Sequence, residues 1–270
     1  MKRLALLGCG LALSGCAALL NAGRPAYNGP VLTPLWHVAD LEVVDTPLIG
    51  DGRVYTAARA GQSQPPRAYA FDAQTGGRLW VSSAPASGLL ALAGGTVLAA
   101  DVRGTAHAVD ARDGRTIPAF APRPVAFAVA QDDAFYLTNG AQLAALRSMG
   151  QTRWTHALPI ERAVPVVAGE TVYAFGRHHV DEMTPDLIGV YAFATQSGAA
   201  RWKREWRQSF GKYRYDPKLR AMTWKVKPDY TTIAAVVADD RTAYVFEQLR
   251  DERLLATAQR IVAVDARTGT

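Results

Sequence analysis

Cysteine is nearly missing from this chain: Cys9 and Cys16 are its only two, both at the extreme N-terminus. Once an export leader is removed, no thiol remains to form an intrachain disulfide, and the fold must stand on packing alone. Long stretches with apolar residues at 3.6-residue spacing are also missing, which argues against helices between the strand-like segments. No G-x-S-x-G, H-E-x-x-H or phosphate-loop spacing occurs. That weakens the enzyme class without removing it, because active sites also assemble from scattered loops. The N-terminal apolar run is too short and too interrupted by glycine to make a stable membrane span.

What the chain does have is one phrase written five times. "YAFDAQTGGRLW" (Tyr69 to Trp80) recurs as "HAVDARDGRTIP" from His107, "LAALRSMGQTRW" from Leu143, "VYAFATQSGAARW" from Val190 and "IVAVDARTGT" from Ile261. Each reads as a strand, a tight turn and a second strand. The copies align on Gly76, Gly114, Gly150, Gly198 and Gly269. Four residues on stand Trp80, Pro118, Trp154 and Trp202, and the fifth copy stops first. Asp72, Asp110 and Asp265 supply a short acceptor for backbone N–H groups in the turn, whereas Leu146 and Ala194 take that place in the other copies. Glycine can adopt a positive φ that a β-branched residue tolerates badly, while an exposed turn acceptor can be replaced by water. Gly76→Val is therefore expected to be worse than Asp72→Ala.

A fainter strand–turn–strand phrase precedes each copy, beginning at Pro47, Leu89, Val125, Pro165 and Ala234. Four short strands per unit, at a spacing of roughly 36–48 residues over the first four units, fall in the range of propeller repeats. Such units can bury both apolar faces only against neighbouring units. The expected fold is all-β, a β-propeller of four-stranded antiparallel blades with five repeat units visible. The Trp residues are expected to anchor one blade on the next as ordinary core side chains.

The strand–"DA-x-T-G-x-x-x-W" unit resembles the repeat of the quinoprotein-like (PQQ-like) β-propellers, over residues 31–270. The segment "TPLWHV" matches an outer strand with Trp36 in the place of the repeated Trp. Two readings stand: a five-unit ring closed by the strand of Trp36, or a ring whose remaining blades are missing. The resemblance implies fold rather than chemistry. Enzymes of the family need a quinone pocket, a cation held by carboxylates and an amide, and a catalytic carboxylate, and the large alcohol dehydrogenases add a vicinal cysteine disulfide. No cysteine pair and no recognisable cation cluster occurs in this sequence, so no catalytic residue, cofactor or metal is assigned.

Residues 1–15 have the layout of a secretory leader, with Lys2 and Arg3, an apolar run and small residues before Cys16. "LSGC" resembles the bacterial lipobox, which implies lipidation of Cys16; residues 16–30, rich in glycine and proline, read as a tether. The resemblance then implies a membrane lipoprotein of the cell envelope. With Ala17 after the cysteine, the outer membrane of a diderm bacterium is expected, on its periplasmic side.

Charge is concentrated in one place. Residues 203–230 hold nine Lys/Arg against three Asp/Glu, and the rest of the exported chain is close to neutral. Aromatic residues are interleaved with those cations, and Lys203, Arg204, Trp206, Arg207, Lys212, Tyr213, Arg214 and Trp224 are the candidate partner-binding residues. Charge would set the rate of encounter and the rings the contact; an extension packed on the propeller explains the same residues equally well. "RHHVDE" (His178, His179, Asp181 and Glu182) carries ligand-type side chains, but neighbours on a strand point to opposite faces, and a solvated loop accounts for it better. The expected function is a lipid-anchored, non-catalytic scaffold that binds an envelope protein, such as a barrel protein or an assembly complex, in outer-membrane protein assembly. The alternatives are a quinone-dependent dehydrogenase-like protein and a binder of anionic envelope polymers or lipids. Nucleic acid is not an expected partner of an exported chain.

Overall fold

The computed structural model describes residues 34–178, 187–207, 212–216, 218, 220–226, 230–251 and 256–270. Every described regular element is a β-strand. The first sheet contains β1 (Glu42–Val43), β2 (Leu48–Gly50), β3 (Arg53–Arg59), β4 (Arg67–Asp72) and β5 (Arg78–Pro85). The second runs β6 (Gly88–Ala93), β7 (Thr96–Ala100), β8 (Thr105–Asp110) and β9 (Arg123–Pro124). The third is β10 (Phe127–Gln131), β11 (Ala134–Asn139), β12 (Gln142–Arg147) and β13 (Thr152–Ala157). The fourth is β14 (Glu161–Ala168), β15 (Thr171–His178), β16 (Leu187–Ala194) and β17 (Ala200–Arg207). A separate hairpin, β18 (Lys212–Asp216) and β19 (Ala221–Val226), precedes a three-stranded sheet of β20 (Tyr230–Ala238), β21 (Thr242–Asp251) and β22 (Ala256–Asp265). All pairings are antiparallel between sequential neighbours, apart from β1, which joins β2 on the edge of β3.

The middle strands show why these sheets cannot stand alone. In β3, Tyr55, Thr56, Ala57 and Ala58 are all buried, and in β7 so are Thr96 through Ala100. Consecutive residues on a strand face opposite sides, so burial of both parities means that each sheet is covered on both faces. The apolar clusters show what covers them. One joins Tyr55, Ala70 and Trp80 of the first sheet to Leu89, Val97 and Val109 of the second. Another joins Leu98, Ala106 and Phe120 to Phe135, Leu137 and Leu146. Tyr136, Leu143 and Trp154 meet Val172, Tyr191 and Phe193, and Tyr173, Val190 and Ala192 meet Val236, Val245 and Val264. Each main cluster is thus a seam between consecutive sheets, the packing expected of propeller blades.

Four details differ from the sequence expectation. The first blade has five strands and the last has three among the described residues. Trp36 is not on a strand, and no described pairing connects its segment to β22. The residues from Lys203 to Arg207 belong to β17, paired with β16 from Leu187 to Tyr191, so the extension begins only after Arg207. In the third repeat the turn is one residue shorter, closing from Gly150 N–H to the Arg147 carbonyl, so Arg147 rather than Leu146 stands at the turn entry.

Candidate functional site: the inter-blade turns and the axial cavity

The aligned glycines all take positive φ: 70° at Gly76, 76° at Gly114, 95° at Gly150, 72° at Gly198 and 73° at Gly269. In four of the turns the glycine N–H donates to the carbonyl four residues earlier, that of Asp72, Asp110, Ala194 or Asp265. A Cβ on Gly114 would lie 2.7 Å from the Trp80 ring, and one on Gly198 2.7 Å from the Trp154 ring. The same relation links Gly76 to Trp36 and Gly269 to Trp202. Each indole therefore lies flat against the bare turn of the following blade, where any side chain would displace it.

A hydrogen bond completes each contact. The indole N–H groups of Trp36, Trp80, Trp154 and Trp202 donate to the carbonyls of Ala73, Ala111, Thr195 and Ala266, at 2.9, 3.0, 3.0 and 3.0 Å. The N–H groups of those same four acceptor residues bond back to the inner hairpin of their own blade, at Gly52, Gly95, Glu170 and Arg241. Both polar groups of the peptide are thereby satisfied on either side of the seam, which a buried backbone requires. The exception is the third turn, where Phe120 covers Gly150 and offers no donor. Phe120 stands six residues after its glycine rather than four, and Pro118 occupies the usual place; only the run "PAF" hinted at the substitution.

The repeated aspartates serve the turn itself. Asp72 Oδ1 accepts the N–H groups of Gln74 and Thr75 and the Thr75 hydroxyl; Asp265 repeats this with Arg267 and Thr268. The Thr75 N–H, foremost, holds the Asp72 carboxyl below its usual range, and the Thr268 N–H does the same for Asp265. For Asp110 the Arg112 guanidinium, 2.9 Å away, is the main cause of a lowered pKa. A carboxyl whose pKa is depressed by folding adds stability above its unfolded pKa of about 3.9, and this is lost as pH falls through the lower folded value. The melting temperature is expected to stay level as pH falls toward about 4 and to decline below it, with a shallower decline in Asp110→Asn; thermal melts across that range check this.

The first strands of four blades, β2, β6, β10 and β14, border a wide-open cavity of about 460 Å³. Its ten lining residues are all Leu, Ile, Ala or Val, including Ile49, Leu90, Val129 and Val166. Among the described residues no group of three or more His, Cys, Asp or Glu is placed to hold a metal ion. His178 Nδ1 lies 3.2 Å from Glu161 Oε1; His179, Asp181 and Glu182 lie outside the described residues, as does Cys16 with the leader and tether. Of the partner-binding candidates, Lys203 on β17 lies 3.2 Å from Glu205. Arg204, Trp206 and Arg207 share that strand, whereas Lys212, Tyr213 and Arg214 lie on β18 and Trp224 on β19, with Tyr213 opposite Trp224 in register. The candidates are thus divided between the outer strand of the fourth blade and a separate hairpin.

A family model described as "Outer membrane protein assembly factor BamB" matches residues 32–119. A quinohemoprotein alcohol dehydrogenase from Comamonas testosteroni aligns at TM-score 0.50 with 12% identity, over 84% of this chain and 42% of its own. A europium-containing methanol dehydrogenase aligns at TM-score 0.50 with 13% identity, over 86% of this chain and 52% of its own. The likeness to these two structures is one of fold, a set of propeller-like blades. The chain spans about half the length of those two dehydrogenases or less. BamB from Moraxella catarrhalis aligns at TM-score 0.41 with 15% identity, over 83% of this chain and 76% of its own. No curated protein matches.

The side chains that line this cavity do not fit pyrroloquinoline quinone, the cofactor of quinoprotein dehydrogenases. That quinone carries several carboxylates, and none of the ten lining side chains offers them a cation or a hydrogen-bond donor. Burying unpaired charge there would be costly.

Proposed function

We propose that the chain is a lipid-anchored, non-catalytic propeller of the cell envelope that holds a protein partner, in the assembly of outer-membrane proteins. The observation that carries this reading is the employment of the repeated carboxylates. Asp72, Asp110 and Asp265 are engaged by turn N–H groups, a threonine hydroxyl or an arginine, and the cavity beside β2, β6, β10 and β14 is lined by apolar side chains. The match to a family named for an assembly factor over residues 32–119 supports the same direction, as do the leader and Cys16 of the sequence. Crosslinking in intact cells, followed by mass spectrometry of the captured proteins, is the test. The reading expects an outer-membrane barrel protein or an assembly subunit, and recovery of neither overturns it.

A quinone-dependent, dehydrogenase-like protein is the second reading. The likeness at TM-score 0.50 is to dehydrogenases, and it favours this reading more directly than the first. It requires the quinone to sit outside the cavity lined by Leu, Ile, Ala and Val side chains. Addition of pyrroloquinoline quinone with calcium separates the two: the scaffold reading expects no perturbed quinone absorbance and no dye reduction, and saturable binding with dye reduction would favour the dehydrogenase.

A further inference from the structure

The connections between the first four blades lie at the end of the sheets opposite the glycine turns, a rim where hydrogen bonds tie each of them to a hairpin of an adjoining blade. Ala86 N–H donates to the Pro66 carbonyl, Ser87 to Ala100, Val125 to Gly104, Ala126 to Thr138 and Leu158 to Ala141. At the seam of the third and fourth blades this rim is locally strained. Arg162 has a φ of 49° in a bulge where the register of β14 shifts between Glu161 and Val164. A non-glycine residue in that conformation persists only when its surroundings impose it. Gly176 packs against the bulge so closely that a Cβ would lie 2.9 Å from the Glu161 carbonyl, and the buried Thr138 hydroxyl donates to the Ala163 carbonyl.

Thr138 also pairs with Phe127, a residue that is 41% exposed. On the other flank, Glu161 pairs with Arg177. The fold therefore places an exposed aromatic residue, the strained Arg162 and Arg177 around one buried threonine. Arg162 and Arg177 are exposed, and among the described residues neither forms an ion pair with a carboxylate, Glu161 being opposite Arg177 in strand register only. The one acid among them, Glu161, is engaged by His178. A second cation beside an apolar side chain, Arg103 next to the 81%-exposed Val102, stands on the same rim.

We propose that this rim, centred on Phe127, Arg162 and Arg177, is the docking surface for an acidic segment of a partner protein that presents an apolar side chain between carboxylates. The proposal rests on the scaffold reading and supplies the chemistry of its partner. Unpaired guanidinium groups match carboxylates in a two-pronged geometry, and a neighbouring ring supplies the apolar contact that a purely electrostatic site lacks.

The test measures binding of the exported, leader-processed protein to a fluorescent peptide of alternating Asp and Phe, with an Asn/Phe peptide and anionic phosphatidylglycerol vesicles as comparisons. Arg162→Gly removes the charge and relieves the backbone; Arg162→Lys keeps the charge, and Arg177→Gln removes the other. The acidic peptide is expected to bind, with affinity falling as salt rises. Loss of roughly tenfold is expected in Arg162→Gly and Arg177→Gln, with most of the affinity retained in Arg162→Lys. Equal binding of the Asn/Phe peptide, unchanged affinity in the two charge-removing variants, or binding of vesicles in place of the peptide overturns the proposal. A photoreactive residue at position 127 in cells keeps the two claims apart. Capture of an assembly protein that persists in Arg162→Gly overturns the acidic docking site and leaves the scaffold standing, whereas failure to capture one from any position overturns both.

Discussion

Trp154→Ala is expected to lower stability by about 3–5 kcal/mol, near the top of the range for a single substitution. The indole is 9% exposed, donates to Thr195, covers Gly198, and lies 6.1 Å from the Tyr136 ring and 6.2 Å from Phe193. Its removal opens a cavity in the seam of the third and fourth blades and leaves the Thr195 carbonyl without its donor. For a domain of this length the melting temperature should fall by roughly 6–20 °C. Trp154→Phe keeps most of the packing and loses the donor, so its cost should be nearer about 1 kcal/mol beyond the small change in volume. Trp36→Ala should cost less than Trp154→Ala, because Trp36 is only half-buried and lies outside any strand. Calorimetry on the three variants checks the order; a larger loss at Trp36 than at Trp154 would contradict the assignment of the seam.

Gly76→Val carries the second large effect. The φ of 70° places a β-branched side chain in the left-handed region at about 1–3 kcal/mol for the backbone alone. The new Cβ would also lie 2.6 Å from the Trp36 ring, which must then leave its place and give up its bond to Ala73. Asp72→Ala, four residues earlier, removes an acceptor at the surface whose N–H partners water can satisfy. Chemical denaturation should therefore separate the two variants clearly, with Gly76→Val much the weaker. Similar midpoints in both would mean that the turn does not have the conformation described.

The blade repeat was legible because a turn leaves a local mark: glycine at positive φ, an Asp acceptor before it and an aromatic residue after it are all fixed by nearby backbone geometry. The phrase from Tyr69 to Trp80 contains all three. The partners of the anchors were not legible, since Trp80 meets a carbonyl 31 residues away and Trp202 one 64 residues away. Phe120 stands outside the repeat's pattern: the third turn is shorter by one residue, and the ring that covers Gly150 comes from a different position. Arg162 gave no signal at all; its conformation is imposed by Gly176 and Thr138, from strands distant in the sequence. The charged stretch drew attention by composition, yet its first residues prove to be the outer strand of a blade. Composition reports charge and cannot say where a strand ends.

The central claim is that each sheet is held by its neighbours across seams latched by an indole on a glycine turn. Hydrogen exchange of backbone amides, compared between the native protein and Trp154→Ala, tests it most directly. The account predicts that protection falls together in β11 and β12 on one side of the altered seam and in β15 and β16 on the other, while β3 and β4 of the first blade keep theirs. Loss confined to the third blade, with the fourth unchanged, would contradict it.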